Sequence, residues 1–152
     1  MITPPRGFGD SEFAARCTRA QAAMARADVG ALLLTSEAEI RYFTGFTTQF
    51  WQSPTRPWFV VIPLSGKPIP VIPSIGAPLM RQCYTESIIS WASPALHDDG
   101  ITLVADVVRQ NVAKDGRLGM LMGRETAVRM PLTDIFALQQ ELGAINWHDM
   151  TT

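Results

Sequence analysis

Residues 58–73, WFVVIPLSGKPIPVIP, decide the fold that the sequence predicts. The first six residues are all apolar, which is typical of a strand that is buried on both faces of a sheet. The next four, LSGK, are a turn signal, so Ile69 to Ile72 is expected to return as a hairpin partner. Pro68 and Pro70 are two residues apart and lack N–H groups on the same side, which predicts a sheet edge there.

Helices and strands alternate on both sides of this hairpin. Apolar residues from Phe13 to Ala27 recur at helical spacing, with Arg16 off that stripe and expected in solvent, and Gly30 is expected to stop the helix. A strand at 31–35 follows, and Ser36 with Glu39 forms a capping box for a second helix that ends at Gly45. The later elements expected are a helix from Pro78 to Tyr84, a strand at 88–91, a helix after Gly100, a strand at 118–122, a helix after Pro131 and a strand at 145–147.

This alternation predicts an α/β fold. We expect a mixed, largely parallel sheet with one antiparallel hairpin and helices on both faces. A chain of 152 residues is the size of one domain, and it can bury about 70% of its unfolded surface without a disulfide or metal. We expect residues 1–10 to be an irregular arm and residues 11–150 to be the folded domain.

The net charge, the cysteines and the apolar segments of the sequence limit which partners and which cellular location we expect. The net charge of −1 does not favour a nucleic acid or an anionic membrane. Cys17 and Cys83 are far apart in sequence and are expected to be reduced, buried thiols. The first residues lack the apolar segment of a signal peptide, and the longest near-apolar run, 57–66, is too short to span a membrane. These features predict a cytoplasmic protein.

The residues that carry chemistry do not form a self-contained active site. His97 and His148 lack a second ligand at metal-binding spacing, and Asp98 and Asp99 beside His97 are best explained as a polar turn and a helix cap. The three glycines of residues 116–123 match neither a phosphate-binding loop nor a dinucleotide fingerprint. We therefore predict no catalytic residue and no metal ligand in this chain. A well-built α/β domain without catalytic groups is often one part of a larger enzyme.

Several segments, taken in order, resemble the N-terminal domain of the creatinase/prolidase (pita-bread) hydrolases. The most specific is EAEIRYFTGF at 37–46, through Ile40 and the YFTGF sequence. The others are RCTRAQAAMARADVG at 16–30, ALLLT at 31–35, the hairpin, GRLGMLMGRE at 116–125 and MPLTDIFALQQELG at 130–143. The resemblance implies a ribonuclease-H-like fold and covers about residues 11–150.

The resemblance also implies that the chemistry lies elsewhere. In this family a C-terminal domain, which we expect to be absent from this chain, holds the reaction centre. In the peptidases that centre has two divalent metal ions (Mn, Co or Zn), whereas creatinases work without metal. The expected role is thus a non-catalytic N-terminal domain of an Xaa-Pro dipeptidase-like metallohydrolase, joined to its catalytic domain, forming a homodimer and serving a small peptide or amide substrate. The alternatives are a creatinase-type or other small-amide hydrolase, and a stand-alone module that binds a small molecule or protein.

One segment is a candidate for the substrate rim in such an enzyme. Residues 47–57, here called the aromatic loop, contain Phe50, Trp51 and Arg56 and are stiffened by two prolines. Arg56 could hold a substrate carboxylate through charge-assisted hydrogen bonds worth about 1.5–3 kcal/mol, while Phe50 and Trp51 exclude water. The alternative is that the two aromatic rings pack within the protein or at an interface and that Arg56 is a surface residue.

Overall fold

In the computed structural model, which describes residues 7–53 and 56–151, six strands form one sheet. The strands are β1 (Ala31–Leu34), β2 (Phe59–Pro63), β3 (Ile69–Pro73), β4 (Ile89–Trp91), β5 (Arg117–Met120) and β6 (Asn146–Asp149). Their order across the sheet is β4-β3-β2-β1-β5-β6. β2 pairs antiparallel with β1 and β3, whereas the β3–β4, β1–β5 and β5–β6 pairs are parallel. The predicted mixed sheet with its antiparallel hairpin is confirmed.

Helices cover both faces of the sheet, as predicted. They are α1 (Asp10–Arg26), α2 (Glu37–Thr44), α3 (Ala77–Met80), α4 (Ile101–Asn111) and α5 (Leu132–Leu142). Alternate residues of β2 face opposite layers: Val60 and Ile62 join the core under α1, α2 and α3, while Phe59 and Val61 join the core under α4 and α5. None of the helices in the described residues is long and apolar enough to cross a membrane.

A capping box joins β1 directly to α2. The Ser36 hydroxyl accepts a hydrogen bond from the Glu39 N–H at 3.3 Å, and the Glu39 carboxylate accepts from the N–H groups of Ser36 and Thr35, both at 3.0 Å. At the other end of α2 the buried Thr44 hydroxyl donates to the Ile40 carbonyl at 2.6 Å and accepts from the Phe46 N–H at 3.1 Å. These bonds fix the direction in which the chain leaves α2 and enters the aromatic loop.

The prediction of a sheet edge at Pro68 and Pro70 is wrong. β3 lies between β2 and β4. β4 pairs only with Val71, Ile72 and Pro73, which come after both of those prolines. The missing N–H groups therefore do not prevent the pairing, and β4 forms the edge instead.

The prediction of a solvated Arg16 is also wrong. Its side chain is buried, and its guanidinium carbon lies 4.3 Å from the ring centre of Phe8 and 4.4 Å from that of Tyr42. Its nitrogens donate to the Glu12 carboxylate at 2.9 Å and to the Tyr42 carbonyl at 2.8 Å. Arginine can be buried in this way because its planar cation stacks on aromatic faces while its N–H groups keep their partners.

Two helices end earlier than predicted. α1 ends at Arg26 and not at Gly30, because Asp28 already adopts a left-handed backbone conformation, with φ at 54°. α3 ends at Met80 and not at Tyr84. Cys17 is a buried free thiol, as predicted, whereas Cys83 is only half-buried. Burial raises the pKa of the Cys17 thiol to about 11.

The packing of Gly100 at the start of α4 can be tested by substitution, with Gly66 as the matched control. Both have φ at +91°, but an added Cβ at Gly100 would lie 2.6 Å from the Trp91 ring, whereas nothing lies within 4 Å of one at Gly66. Each alanine substitution should cost about 1–2 kcal/mol of backbone strain. Gly100→Ala should cost about 1–3 kcal/mol more from overpacking. Urea unfolding of the two variants checks this, and equal losses of stability would contradict it.

Candidate functional site

Phe50 and Trp51 belong to a cluster of aromatic rings that contact one another. They lie in a short 3₁₀ helix, Gln49–Gln52, and together with Phe46 and Trp58 they form what is here called the aromatic cluster. The rings of Phe50 and Trp58 are nearly parallel, and their centres are 6.3 Å apart. The ring centres of Trp51 and Trp58 are 5.7 Å apart. Trp51 is only 8% exposed, while Phe50 is 43% exposed. Trp51 is thus largely core, and Phe50 presents one face to solvent.

The aromatic cluster contains two unsatisfied indole donors. The Nε1 atoms of Trp51 and Trp58 are buried, and neither has a hydrogen-bond partner among the described residues. A buried donor without a partner costs about 1–3 kcal/mol. By contrast, Nε1 of Trp91 donates to the Asp99 carboxylate at 2.7 Å. The cluster is therefore held by ring packing and not by the polar edges of its tryptophans.

The predicted rim residues line two different cavities. One, of about 690 Å³, is here called the aromatic cavity and is lined by Phe50 and Trp51 together with Glu37, Thr47, Gln52 and Leu79. The other, of about 410 Å³, is here called the acidic cavity and is lined by Arg56 together with His97, Asp98, Asp99, Asp134 and Glu141. The structure brings Phe50 and Trp51 together, but it places the half-buried Arg56 at a separate cavity.

Two carboxylates of the acidic cavity have structural roles. Asp98 caps α4 as predicted, since its carboxylate accepts from the N–H of Ile101 at 2.7 Å and of Thr102 at 3.2 Å, and also from the Thr102 hydroxyl. Burial alone would raise the pKa of Asp98, but these hydrogen bonds lower it overall. Asp99 accepts from Trp91 and from the Ser93 hydroxyl at 3.1 Å.

Asp134 and Glu141 are the other two carboxylates that line the acidic cavity. Burial raises the pKa of Asp134, and the nearby charges of Asp99 and Asp98 raise it further. Glu141 accepts a hydrogen bond from Arg109 at 3.4 Å. The cavity therefore favours cationic or neutral groups except where Arg56 supplies a positive charge.

Arg129, which was not predicted from the sequence to have a role, contacts residues of both cavities. Its Nη1 donates to the Arg56 carbonyl at 2.6 Å, and its Nη2 donates to the carbonyls of Trp51, at 3.3 Å, and of Ser53. Its guanidinium carbon lies 5.0 Å from the centre of the Trp51 ring. These partners are more than 70 residues away in sequence, with separations of 73, 76 and 78, so no local pattern announces the contact.

The described residues contain no group of three or more histidine, cysteine or acidic side chains that could hold a metal ion. His97 lines the acidic cavity, and His148 lies half-buried in β6, outside both cavities. The arrangement around the aromatic loop offers an exposed ring, a guanidinium and carboxylates. It is suited to contacting a ligand.

With this geometry established, comparison with known proteins assigns the family. The sequence profile of the Creatinase/Prolidase N-terminal domain matches residues 16–152. The chain belongs to this family. The resemblance found in the sequence is thereby confirmed, and the match covers every strand and helix of this creatinase/prolidase N-terminal domain except the first turns of α1. No curated protein matches the chain.

The solved structures with the same fold include chains much longer than this one and chains of similar length. A prolidase from Thermococcus sibiricus has a TM-score of 0.74 and 14% identity, over 91% of this chain and 35% of that one. A dipeptidase from Mycobacterium ulcerans has a TM-score of 0.64 and 22% identity, over 92% of this chain and 35% of that one. The N-terminal domain of an Xaa-Pro dipeptidase from Streptococcus pyogenes has a TM-score of 0.68 and 12% identity, over 90% of this chain and 94% of that one. The creatinase/prolidase N-terminal domain thus spans about a third of the first two proteins, and these likenesses establish its fold.

Removing the Asp98 cap should destabilise the domain in a pH-dependent way. Asp98→Ala should cost about 1 kcal/mol at pH 7. Because folding lowers the pKa of Asp98, its contribution is complete above the unfolded value of about 3.9 and is lost as the pH falls through the folded value. The difference in the free energy of unfolding between Asp98→Ala and the wild type, measured with urea, should therefore become smaller below about pH 4. Asp115→Ala, at an exposed position, is the control. A constant difference between pH 7 and pH 3 would contradict the assignment.

Proposed function

We propose that this chain is the non-catalytic N-terminal domain of an Xaa-Pro dipeptidase-like hydrolase. The observation that carries the proposal is the family match over residues 16–152, together with the likeness to the prolidase from Thermococcus sibiricus, of which the chain spans 35%. The remaining length of such proteins leaves room for a C-terminal catalytic domain. In this proposal the hydrolytic reaction takes place in that domain, which would hold two divalent metal ions (Mn, Co or Zn).

The role proposed for this domain is to shape the substrate site and to take part in a homodimer in the cytoplasm. An exposed aromatic surface such as the face of Phe50 is suited to contacts with another subunit or with a substrate. The proposal assigns the substrate-site rim to Phe50, Trp51 and Arg56. Since the structure describes Trp51 as largely buried, its share in the rim is to support Phe50 through the aromatic cluster.

Arg56 is the proposed anchor for a substrate carboxylate. Among the described residues its guanidinium makes no ion pair, and its backbone carbonyl is the group that Arg129 binds. The acidic side chains that line the same cavity would repel the carboxylate of a substrate. Arg56 therefore has to supply the attraction that lets this carboxylate bind. The substrate class that fits is a small peptide or amide with a free carboxylate.

Arg56→Ala in the protein that includes the catalytic domain tests the proposal. Loss of the charge-assisted hydrogen bonds should raise KM about 10–100-fold for an Xaa-Pro dipeptide. The melting temperature should stay within about 2 °C, as surface substitutions usually change stability by less than about 0.5 kcal/mol. Assays with a panel of Xaa-Pro dipeptides and with creatine, with and without manganese, also separate the peptidase from a creatinase-type enzyme.

Arg81→Ala is the matched control, because Arg81 is an exposed arginine outside both cavities. It should leave KM unchanged. Unchanged kinetics for Arg56→Ala as well would remove Arg56 from the substrate site. Turnover of creatine but of no dipeptide would replace the peptidase assignment with the creatinase-type one.

A further inference from the structure

We infer that Arg129 is a positioning residue that holds the aromatic loop in place and so fixes the positions of both Phe50 and Arg56. This inference rests on the function proposed above, since it concerns how the substrate-site rim is built. It adds a residue from the segment between β5 and α5, which the sequence analysis did not connect with the loop.

The first support is the number and direction of the contacts. The Arg129 guanidinium donates to three carbonyls of the same loop, those of Trp51, Ser53 and Arg56. Of these three residues, Trp51 lines the aromatic cavity and Arg56 lines the acidic cavity. A planar guanidinium has five N–H donors in a fixed fork and can serve several acceptors at once, which a lysine ammonium cannot do in the same geometry.

The second support is that Arg129 is itself tied to the sheet. Its backbone N–H donates to the Thr35 hydroxyl at 3.1 Å, and Thr35 is only 2% exposed at the carboxyl end of β1. The loop is thus connected through one side chain to the central part of the sheet. The positions of the loop residues that Arg129 binds are therefore coupled to that of β1.

The third support is the absence of a competing partner. Within the described parts of the chain no carboxylate lies within ion-pair distance of the Arg129 guanidinium. Its charge is compensated by the loop carbonyls and by the face of Trp51, 5.0 Å from the ring centre. Burial lowers the pKa of Arg129, and the negative charge of Glu37 partly opposes this effect. A half-buried cation placed in this way is committed to the loop.

Hydrogen–deuterium exchange on the isolated chain provides the direct test. In Arg129→Ala, peptides covering residues 49–58 should exchange at least about tenfold faster, whereas peptides from β1, β2 and β3 should keep their protection. Arg129→Lys should restore the protection only in part, because an ammonium cannot serve the three carbonyls as a fork does. Arg124→Ala, at an exposed arginine of the same segment, should change nothing. Unchanged exchange at 49–58 in Arg129→Ala would overturn the inference.

If Arg129→Ala loses protection throughout the chain, Arg129→Lys becomes the deciding variant. A selective increase at 49–58 in the lysine variant supports the inference, and exchange equal to that of the wild type overturns it.

Kinetics of the protein with its catalytic domain separates this inference from the proposed function. Arg129→Ala should raise KM by at least the factor seen for Arg56→Ala, with kcat changed less than twofold, and Arg129→Lys should recover part of the loss. If the loop loosens and Arg56→Ala raises KM but Arg129→Ala does not, the positioning role is wrong while the rim stands. If the loop loosens and neither substitution changes KM, the rim is wrong and Arg129 holds a loop that the substrate does not meet, which also overturns its role in positioning the site.

Discussion

Burial of β2 on both faces is the constraint on which the rest of the structure depends. Its side chains alternate between the two cores, so that one strand joins the layer of α1, α2 and α3 to the layer of α4 and α5. Because β2 runs against its neighbours and Leu34 of β1 pairs with Val60, the start of β2 lies at the carboxyl ends of β1 and β3. The aromatic loop therefore lies beyond the carboxyl ends of β1 and β3, the end of the sheet where α/β proteins commonly place their ligand sites.

The local parts of this arrangement could be predicted from the sequence. The hairpin, the capping box at Ser36 and the alternation of helices and strands each depend on residues a few positions apart, where turn chemistry and apolar spacing act directly. The pairing of β4 with β3, the burial of Arg16 and the contacts of Arg129 could not, because each joins segments far apart in the chain. For the same reason the sequence grouped Arg56 with Phe50, which are close in the chain but line separate cavities.

Some polar groups around the aromatic loop have hydrogen-bond partners, and others do not. Two buried indole N–H groups lack partners among the described residues, while three carbonyls of the loop share one guanidinium. By contrast, Asp99, which lines the acidic cavity, accepts hydrogen bonds from the Trp91 indole and the Ser93 hydroxyl. Buried groups without partners are uncommon in folded proteins and call for a specific reason. The packing of the aromatic cluster supplies that reason here. Turning the Trp58 indole towards a partner would break its ring contact with Phe50, and turning the Trp51 indole would break its ring contacts with Phe46 and Trp58.

Under the proposed function, in which the reaction takes place in another domain, this domain acts on catalysis only through the position of its residues, so the way the loop is held matters. A displacement of about 1 Å at a substrate contact can reduce a rate by about a hundredfold. A loop restrained only by its own turns would add such uncertainty to both Phe50 and Arg56. The contacts from Thr35 through Arg129 to the loop carbonyls reduce this uncertainty by connecting the loop to the end of β1. If each residue of the loop were held separately, several independent contacts would be needed. Here the single guanidinium of Arg129 holds the backbone at both Trp51 and Arg56.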